Sequence, residues 1–265
     1  MVLILLMYVG FGAVAGILAG LLGIGGGLVI VPMLVFTLTW QGVPDEYIMH
    51  LALATSMASI IFTSVSSFSA HHRRGAVHWL VVRRIALGIV LGTFLGACLA
   101  SRLSTAYLKG VFVVFLYYMA YQLIADRKPK PSRTLPGRLG MFAVGNGIGV
   151  VSALVGIGGG TLSVPFMLWC NLTVHEAIGT SAAIGFPIAI AGTIGYIVNG
   201  WQVAGLPDYS WGYVYLPALV GIVAASVLTA PLGVRLAHSL PVDKLKRVFA
   251  ILLALVGTRM LWGLI

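Results

Sequence analysis

The chain has 265 residues, of which 60% are hydrophobic and only 8% charged, whereas a soluble domain carries about a quarter charged residues. This excludes a soluble domain of any size and leaves an all-α polytopic membrane protein, because apolar runs near the ~20 residues needed to cross a bilayer recur along it. The excess of 16 basic over 6 acidic residues fits basic cytoplasmic loops better than a nucleic-acid partner.

The first segment, 2–22, opens without a basic residue, so it reads as a membrane segment and not as the charged start of a signal peptide. It ends in a glycine break, L-L-G-I-G-G-G-L-V-I-V-P from Leu21 to Pro32, and a short segment runs from 27 to about 40. A helix follows over 46–70, ended by His71-His72-Arg73-Arg74. Helices at about 85–101 and 106–125 close the first half. The stretch from Asp126 to Arg138 is polar, Pro-rich and basic, and reads as a cytoplasmic linker. The second half repeats the plan at 139–155, 160–171, 176–199, 212–234 and 246–264, with its own break, L-V-G-I-G-G-G-T-L-S-V-P from Leu154 to Pro165. Three regions result: 1–125, 126–138 and 139–265. Pro187 and Pro217 fall in or beside segments of the second half, where proline starts or kinks a helix.

A shift of 133 lays the first break on the second and carries Gly12, Gly16 and Gly20 onto Gly145, Gly149 and Ala153. It also carries Gly88, Gly92 and Gly96 onto Gly221, Ala225 and Thr229. A shift of 125 lays Ala54-Thr55-Ser56 on Gly179-Thr180-Ser181. Small residues four apart share a helix face and let two membrane helices approach closely. Such faces allow a homodimer and serve internal packing equally well.

Thirteen of the sixteen basic residues fall in the 71–84 loop, the linker and the 235–247 loop; the others are Arg102, Lys109 and Arg259. With those three regions cytoplasmic, the 102–109 loop lies outside while its repeat partner lies inside. The halves are therefore expected to be inverted repeats of about five segments each, with both termini outside. The short segments 27–40 and 160–171 either cross fully or are re-entrant.

Glycine clusters of this kind are poor helix interior, and at membrane depth a broken backbone is tolerated only where it is buried in protein or lines a wet cavity. A helix that starts from such a break presents N–H groups without intrahelical partners and the positive end of its dipole, an anion site that needs no charged side chain. The candidate site residues are Gly25, Gly26 and Gly27 in the first break, Gly158, Gly159 and Gly160 in the second, and the repeated pairs Thr55-Ser56 and Thr180-Ser181. Thr161 and Ser163 add hydroxyls after the second break, where the first has Leu28 and Ile30, so the site is expected to be asymmetric. The alternative is that the glycines only let helices cross and that the hydroxyls bond back to the preceding turn.

No acidic residue falls in the middle of a span, so no carboxylate relay is visible; Asp45, Glu46 and Glu176 suit helix starts. His50 and His175 sit near those starts and read as structural; His71, His72, His78 and His238 read as members of basic loops. Cys98 and Cys170 read as buried hydrophobes, without a disulfide or metal framework. No hydrolase, metalloprotease or nucleotide-loop motif occurs, so neither an enzyme nor a cofactor is expected.

At the repeated G-I-G-G-G followed by V-P, with A-T-S and G-T-S in matching places, the chain resembles the sulfite exporter TauE/SafE family over nearly its whole length. The resemblance implies a permease of the bacterial cytoplasmic membrane for sulfite, sulfonates or related small anions. The expectation is a secondary transporter working by alternating access, its partners a small anion and membrane lipid; an anion channel with the same midplane site is the other reading.

Overall fold

The structure is a computed structural model and describes residues 2–22, 26–125, 132–239 and 243–263. The first half contains α1 (Val2–Leu22), α2 (Gly27–Trp40), α3 (Asp45–His72), α4 (Trp79–Ala100) and α5 (Thr105–Ala125). The second contains α6 (Arg138–Val155), α7 (Gly160–Trp169), α8 (Val174–Gly200), α9 (Leu216–Ser239) and α10 (Asp243–Trp262), with a two-stranded hairpin, β1 (Ser210–Trp211) and β2 (Val214–Tyr215), before α9. Among the described residues seven helices are long and apolar enough to span a membrane, so the chain is an all-α multi-pass membrane protein. At 14 and 10 residues, α2 and α7 are roughly 21 and 15 Å long, and neither can cross unaided.

α3 and α8 form the core: 83% and 67% of their apolar windows are buried, against no more than 50% in the other five spans. The glycine stripes decide what packs around them. Gly12, Gly16 and Gly20 of α1 press on the backbone of α9 at Ile222, Ser226 and Ala230. Gly88, Gly92 and Gly96 of α4 press in the same way on Phe142, Asn146 and Val150 of α6. Each half's first helix thus lies on the other half's fourth, and both pairs run in the same sense. α5 packs on α10. α8 also runs with α4, Thr180 meeting His78 and Gly195 meeting Ala97. α3 runs with α9, Thr55 meeting Tyr215 and Thr63 meeting Ser226. Because α3 and α4 are joined by a short turn and oppose each other, α8 runs opposite to its counterpart α3.

A Cβ at Gly16 would lie 2.7 Å from the Ser226 Cα. Gly16→Leu is therefore expected to lower the unfolding free energy by about 3 kcal/mol, the upper end of overpacking costs, since backbone cannot give way. Gly10, with nothing within 4 Å of its Cβ position, is the control: Gly10→Ala should be neutral or stabilise by up to about 1 kcal/mol. Thermal unfolding of the two variants in detergent checks this, and equal melting temperatures would contradict the packing.

Several expectations are corrected. α4 begins at Trp79 and not at 85, so Arg83 and Arg84 are exposed residues of its second turn and not part of a loop. The Trp79-Leu80-Val81-Val82 lead already belongs to the helix, and long basic side chains reach out to water from a helix end. His71 is also not in a loop: it is buried in the last turn of α3, its Nε2 3.1 Å from the Gly20 carbonyl oxygen at the end of α1. α9 starts at Leu216, four residues later than expected, because 210–215 forms the hairpin. Its two-residue turn places Gly212 at φ 53, a conformation cheap for glycine in such turns. Cys98 is half-buried and accepts a hydrogen bond from Asn199 Nδ2 at 3.3 Å, while Cys170 is buried; both are free thiols.

Other local readings fit the structure. His50 is a buried structural residue, its ring nitrogens bonded to the Glu46, Ala100 and Leu103 carbonyls and its face stacked on Tyr213 at 5.0 Å. Burial pushes the Tyr213 phenol up. Glu176 closes a capping box with Thr173 at the start of α8. Several basic residues share one end of the bundle. Arg74 reaches the Val234 carbonyl near the end of α9. Arg133 stacks over Trp169 at the end of α7, 4.6 Å from the ring centre. The 71–78 turn meets α8 near its start. Arg127, Lys128 and Lys130 lie outside the described residues.

Candidate functional site

The two breaks are built alike. Gly26 (φ 79) caps α2 and Gly159 (φ 75) caps α7, both in the left-handed region that glycine enters without a Cβ penalty. The first helical bonds run from Val29 and Ile30 to the Gly26 carbonyl, and from Leu162 and Ser163 to the Gly159 carbonyl. The N–H groups of Gly27, Leu28, Gly160 and Thr161 therefore precede any intrahelical acceptor. α6 ends just before its break in a reversed turn, the Ile157 N–H bonding to Ser152 and the left-handed Gly156 N–H to Ala153, the glycine-terminated pattern common at helix ends.

The breaks meet each other. Gly27 lies so close to the Gly156 carbonyl and to the Ile157 Cα that a Cβ at Gly27 would sit 3.0 Å from that Cα. The Ser56 hydroxyl of α3 donates to the Gly156 carbonyl at 2.7 Å. Gly185 of α8 lies against Gly158, its Cβ position 3.2 Å from that carbonyl oxygen. The run from Val155 to Thr161 is buried throughout. The two short helices thus start from one buried place between the core helices α3 and α8.

Three buried hydroxyls, on Ser152, Thr161 and Ser163, have no hydrogen-bond partner. Ser152 is in the last turn of α6, its Oγ 3.4 Å from where a Gly159 Cβ would be. Thr161 and Ser163 are in the first turn of α7, leaving it about 200° apart. Leaving a buried hydroxyl unpaired costs about 1–3 kcal/mol, which a fold tolerates more readily where a ligand supplies the partner. Ser67, Thr93, Thr193 and Ser210 also carry unpaired hydroxyls, so the second break holds a group of three among the described residues and is not the sole place. The first break offers none: positions equivalent to these three hold Ala19, Leu28 and Ile30.

Of the residues picked out in the sequence, Gly26, Gly27, Gly158, Gly159, Gly160, Thr161, Ser163 and Ser56 gather at this junction. Gly25 lies outside the described residues. Ser181 is buried on α8. Thr55 and Thr180 have a structural role: the Thr55 hydroxyl oxygen accepts the Tyr215 N–H, and the Thr180 hydroxyl oxygen accepts the His78 N–H, each at 2.9 Å. They are corresponding anchors that hold the chain entering α9 and α4. Ser59, Thr63 and Ser64 bond to α3 carbonyls, and Ser66 bonds to Val227 of α9, as expected of packing residues. Ser152 was missed; its signal in the sequence is a small polar residue one turn before Gly156.

The anchors make a separable prediction. Thr55→Val and Thr180→Val each strand a backbone N–H and should cost about 1–3 kcal/mol of stability, while anion affinity of the folded fraction stays within about twofold. Urea or thermal unfolding beside ligand titration checks this; a large affinity loss without destabilisation would return the threonines to the site.

A model of the sulfite exporter TauE/SafE family matches residues 8–260. A "Probable membrane transporter protein" of Haemophilus influenzae is 40% identical over 94% of this chain and 95% of its own length. One of Methanocaldococcus jannaschii is 27% identical over 97% of this chain and 94% of its own, and one of Bacillus subtilis, YdhB, is 26% identical over 99% and 100%. No solved structure matches. The family and these relatives, together with the membrane-spanning helices, indicate a membrane transporter. The match over nearly its full length places the chain in the sulfite exporter TauE/SafE family.

Proposed function

We propose that the protein is a secondary transporter that carries a small anion, sulfite or an organosulfonate, across the cytoplasmic membrane by alternating access. The observation that carries this reading is the buried junction of the two glycine breaks, where two helix N-termini and three unpaired hydroxyls are available to an anion. The N–H groups of Gly160 and Thr161 and the hydroxyls of Ser152, Thr161 and Ser163 hold the oxyanion; Gly27 and Leu28 contribute the opposing N–H groups. Discontinuous helices whose positive ends face a midplane anion recur in transporters built from inverted repeats.

In this reading 1–125 and 139–265 are inverted repeats joined by 126–138. The exchanged packing of first on fourth helix and the opposed sense of α3 and α8 support it. The basic loops face the cytoplasm and both termini lie outside, supported by the gathering of Arg74, Arg133 and the end of α9 at one end of the bundle. The close seating of Gly27 on Gly156 favours a carrier over an open pore.

The test is thermal stabilisation of the purified protein by sulfite, sulfate, thiosulfate, sulfoacetate and chloride at equal ionic strength, with counterflow in proteoliposomes. One sulfur oxyanion should stabilise selectively, by about 2.7 kcal/mol at one hundred times its Kd, and the same anion loaded inside should accelerate its own uptake. Equal effects of all five anions would sink the substrate assignment. Uptake unaffected by internal anion would sink the carrier mechanism.

A further inference from the structure

A cavity of about 730 Å³ opens between α2, α5 and α10, away from the junction's hydroxyls. Its walls are apolar, with Pro32 and Phe36 on α2 facing Leu253 and Val256 on α10. It reaches from Leu28, just past the first break, to Trp40 at the far end of α2. That distance is about 18 Å along a helix, close to the roughly 15 Å of hydrocarbon in one leaflet plus the start of its headgroup layer. Phe36 and Trp40 are more than half exposed, so the cavity opens sideways along the helix faces.

Its charged lining is specific. Lys109, one turn into α5, and Arg259, near the end of α10, both line it, with Asp45 at the start of α3 as the single acid. Lys109 and Arg259 are two of only three basic residues in the chain that lie outside the three basic stretches. Arg259 sits in a helix whose neighbouring residues, Leu255, Met260 and Leu261, are apolar. A cation so placed near the end of a span is costly unless it reaches the interface or meets an anion. No ion pair joins either cation to an acid among the described residues. The cavity therefore combines a one-leaflet apolar slot with two cations at its outer end, beside a tryptophan of the kind that settles at headgroup level.

We propose that this cavity is a binding site for one anionic phospholipid, its acyl chain lying between α2 and α10 and its phosphate held by Lys109 and Arg259. Basic pockets between membrane helices take anionic headgroups by this same complementarity. The lipid would lie against α2, whose first residue belongs to the break, so its occupancy bears on the position of the broken helix.

Native mass spectrometry of delipidated protein, titrated with phosphatidylglycerol and with phosphatidylethanolamine of identical chains, tests the assignment. One phosphatidylglycerol should bind with roughly tenfold or greater preference over phosphatidylethanolamine, a preference lost in the double variant Lys109→Gln, Arg259→Gln. Val256→Trp keeps both cations but fills the slot, and should weaken phosphatidylglycerol binding by a similar factor. The melting temperature of each variant shows that it is folded. Equal retention of the two lipids overturns the proposal, as does phosphatidylglycerol binding unchanged in both variants. A dimer mass lost in Val256→Trp, with no lipid lost, would instead assign the face to a second copy of the chain and overturn it too.

Discussion

Gly27→Val is expected to weaken anion binding about a hundredfold and to lower stability by roughly 3 kcal/mol, because the added side chain has only backbone to push against. Its Cβ would enter the space between the Gly156 carbonyl and the Ile157 Cα, where the two breaks touch. Neither strand can yield separately: Gly156 is itself held by the Ser56 hydroxyl at 2.7 Å and sits at φ 68. If the 3 kcal/mol is felt at the site, affinity falls by about a hundredfold. Ligand titration and thermal unfolding of the same sample check both parts. A variant that binds normally would show that the contact between the breaks is packing alone.

Ser163→Ala should separate binding from folding in the opposite way. The Ser163 hydroxyl is fully buried and unpaired. Its removal relieves an unsatisfied group, so stability without ligand should hold or rise by up to about 2 kcal/mol. A hydrogen bond to a charged partner is worth about 1.5–3 kcal/mol, so anion affinity should fall about 10- to 100-fold. Ser152→Ala should act in the same sense. A structural serine behaves otherwise, losing stability and leaving affinity alone. The asymmetry of the halves sharpens the prediction: Ile30→Ser, at the position matching Ser163 in the first break, should cost stability by placing a new hydroxyl among buried apolar residues.

The order of the segments and the two breaks were legible because glycine is costly inside a helix and apolar length marks a span. α1 and α2 begin and end at the expected residues, and the four-residue glycine spacing named the faces that α1 turns to α9 and α4 to α6. Less legible was whatever depends on a distant partner. Thr55 and Thr180 were picked out because they repeat, and the role the structure adds is that their hydroxyl oxygens accept N–H groups from Tyr215 and His78, 160 and 102 residues away. Repetition thus also marks a structural need shared by the halves, the anchoring of the chain that enters the fourth helix of each. Ser152 escaped notice because its counterpart is Ala19, so no repeat marked it. The hairpin before α9 was hidden in the apolar run Trp211-Gly212-Tyr213-Val214, where hydropathy alone continues a helix and the glycine turn ends it. Arg83 and Arg84 were misplaced because charge was taken to mean loop, though an arginine near a helix end can extend its head to water.

The most direct test of the anion site is anomalous diffraction from crystals grown with selenite, the heavier congener of sulfite. An anomalous peak is expected at the junction of the breaks, with the selenium about 4 Å from the Gly160 or Thr161 nitrogen and from one of the hydroxyls of Ser152, Thr161 and Ser163, so that selenite oxygens lie within about 3 Å of those donors. Selenite ordered only elsewhere, with the junction closed and empty, would contradict the account and leave the glycine breaks as helix-crossing devices.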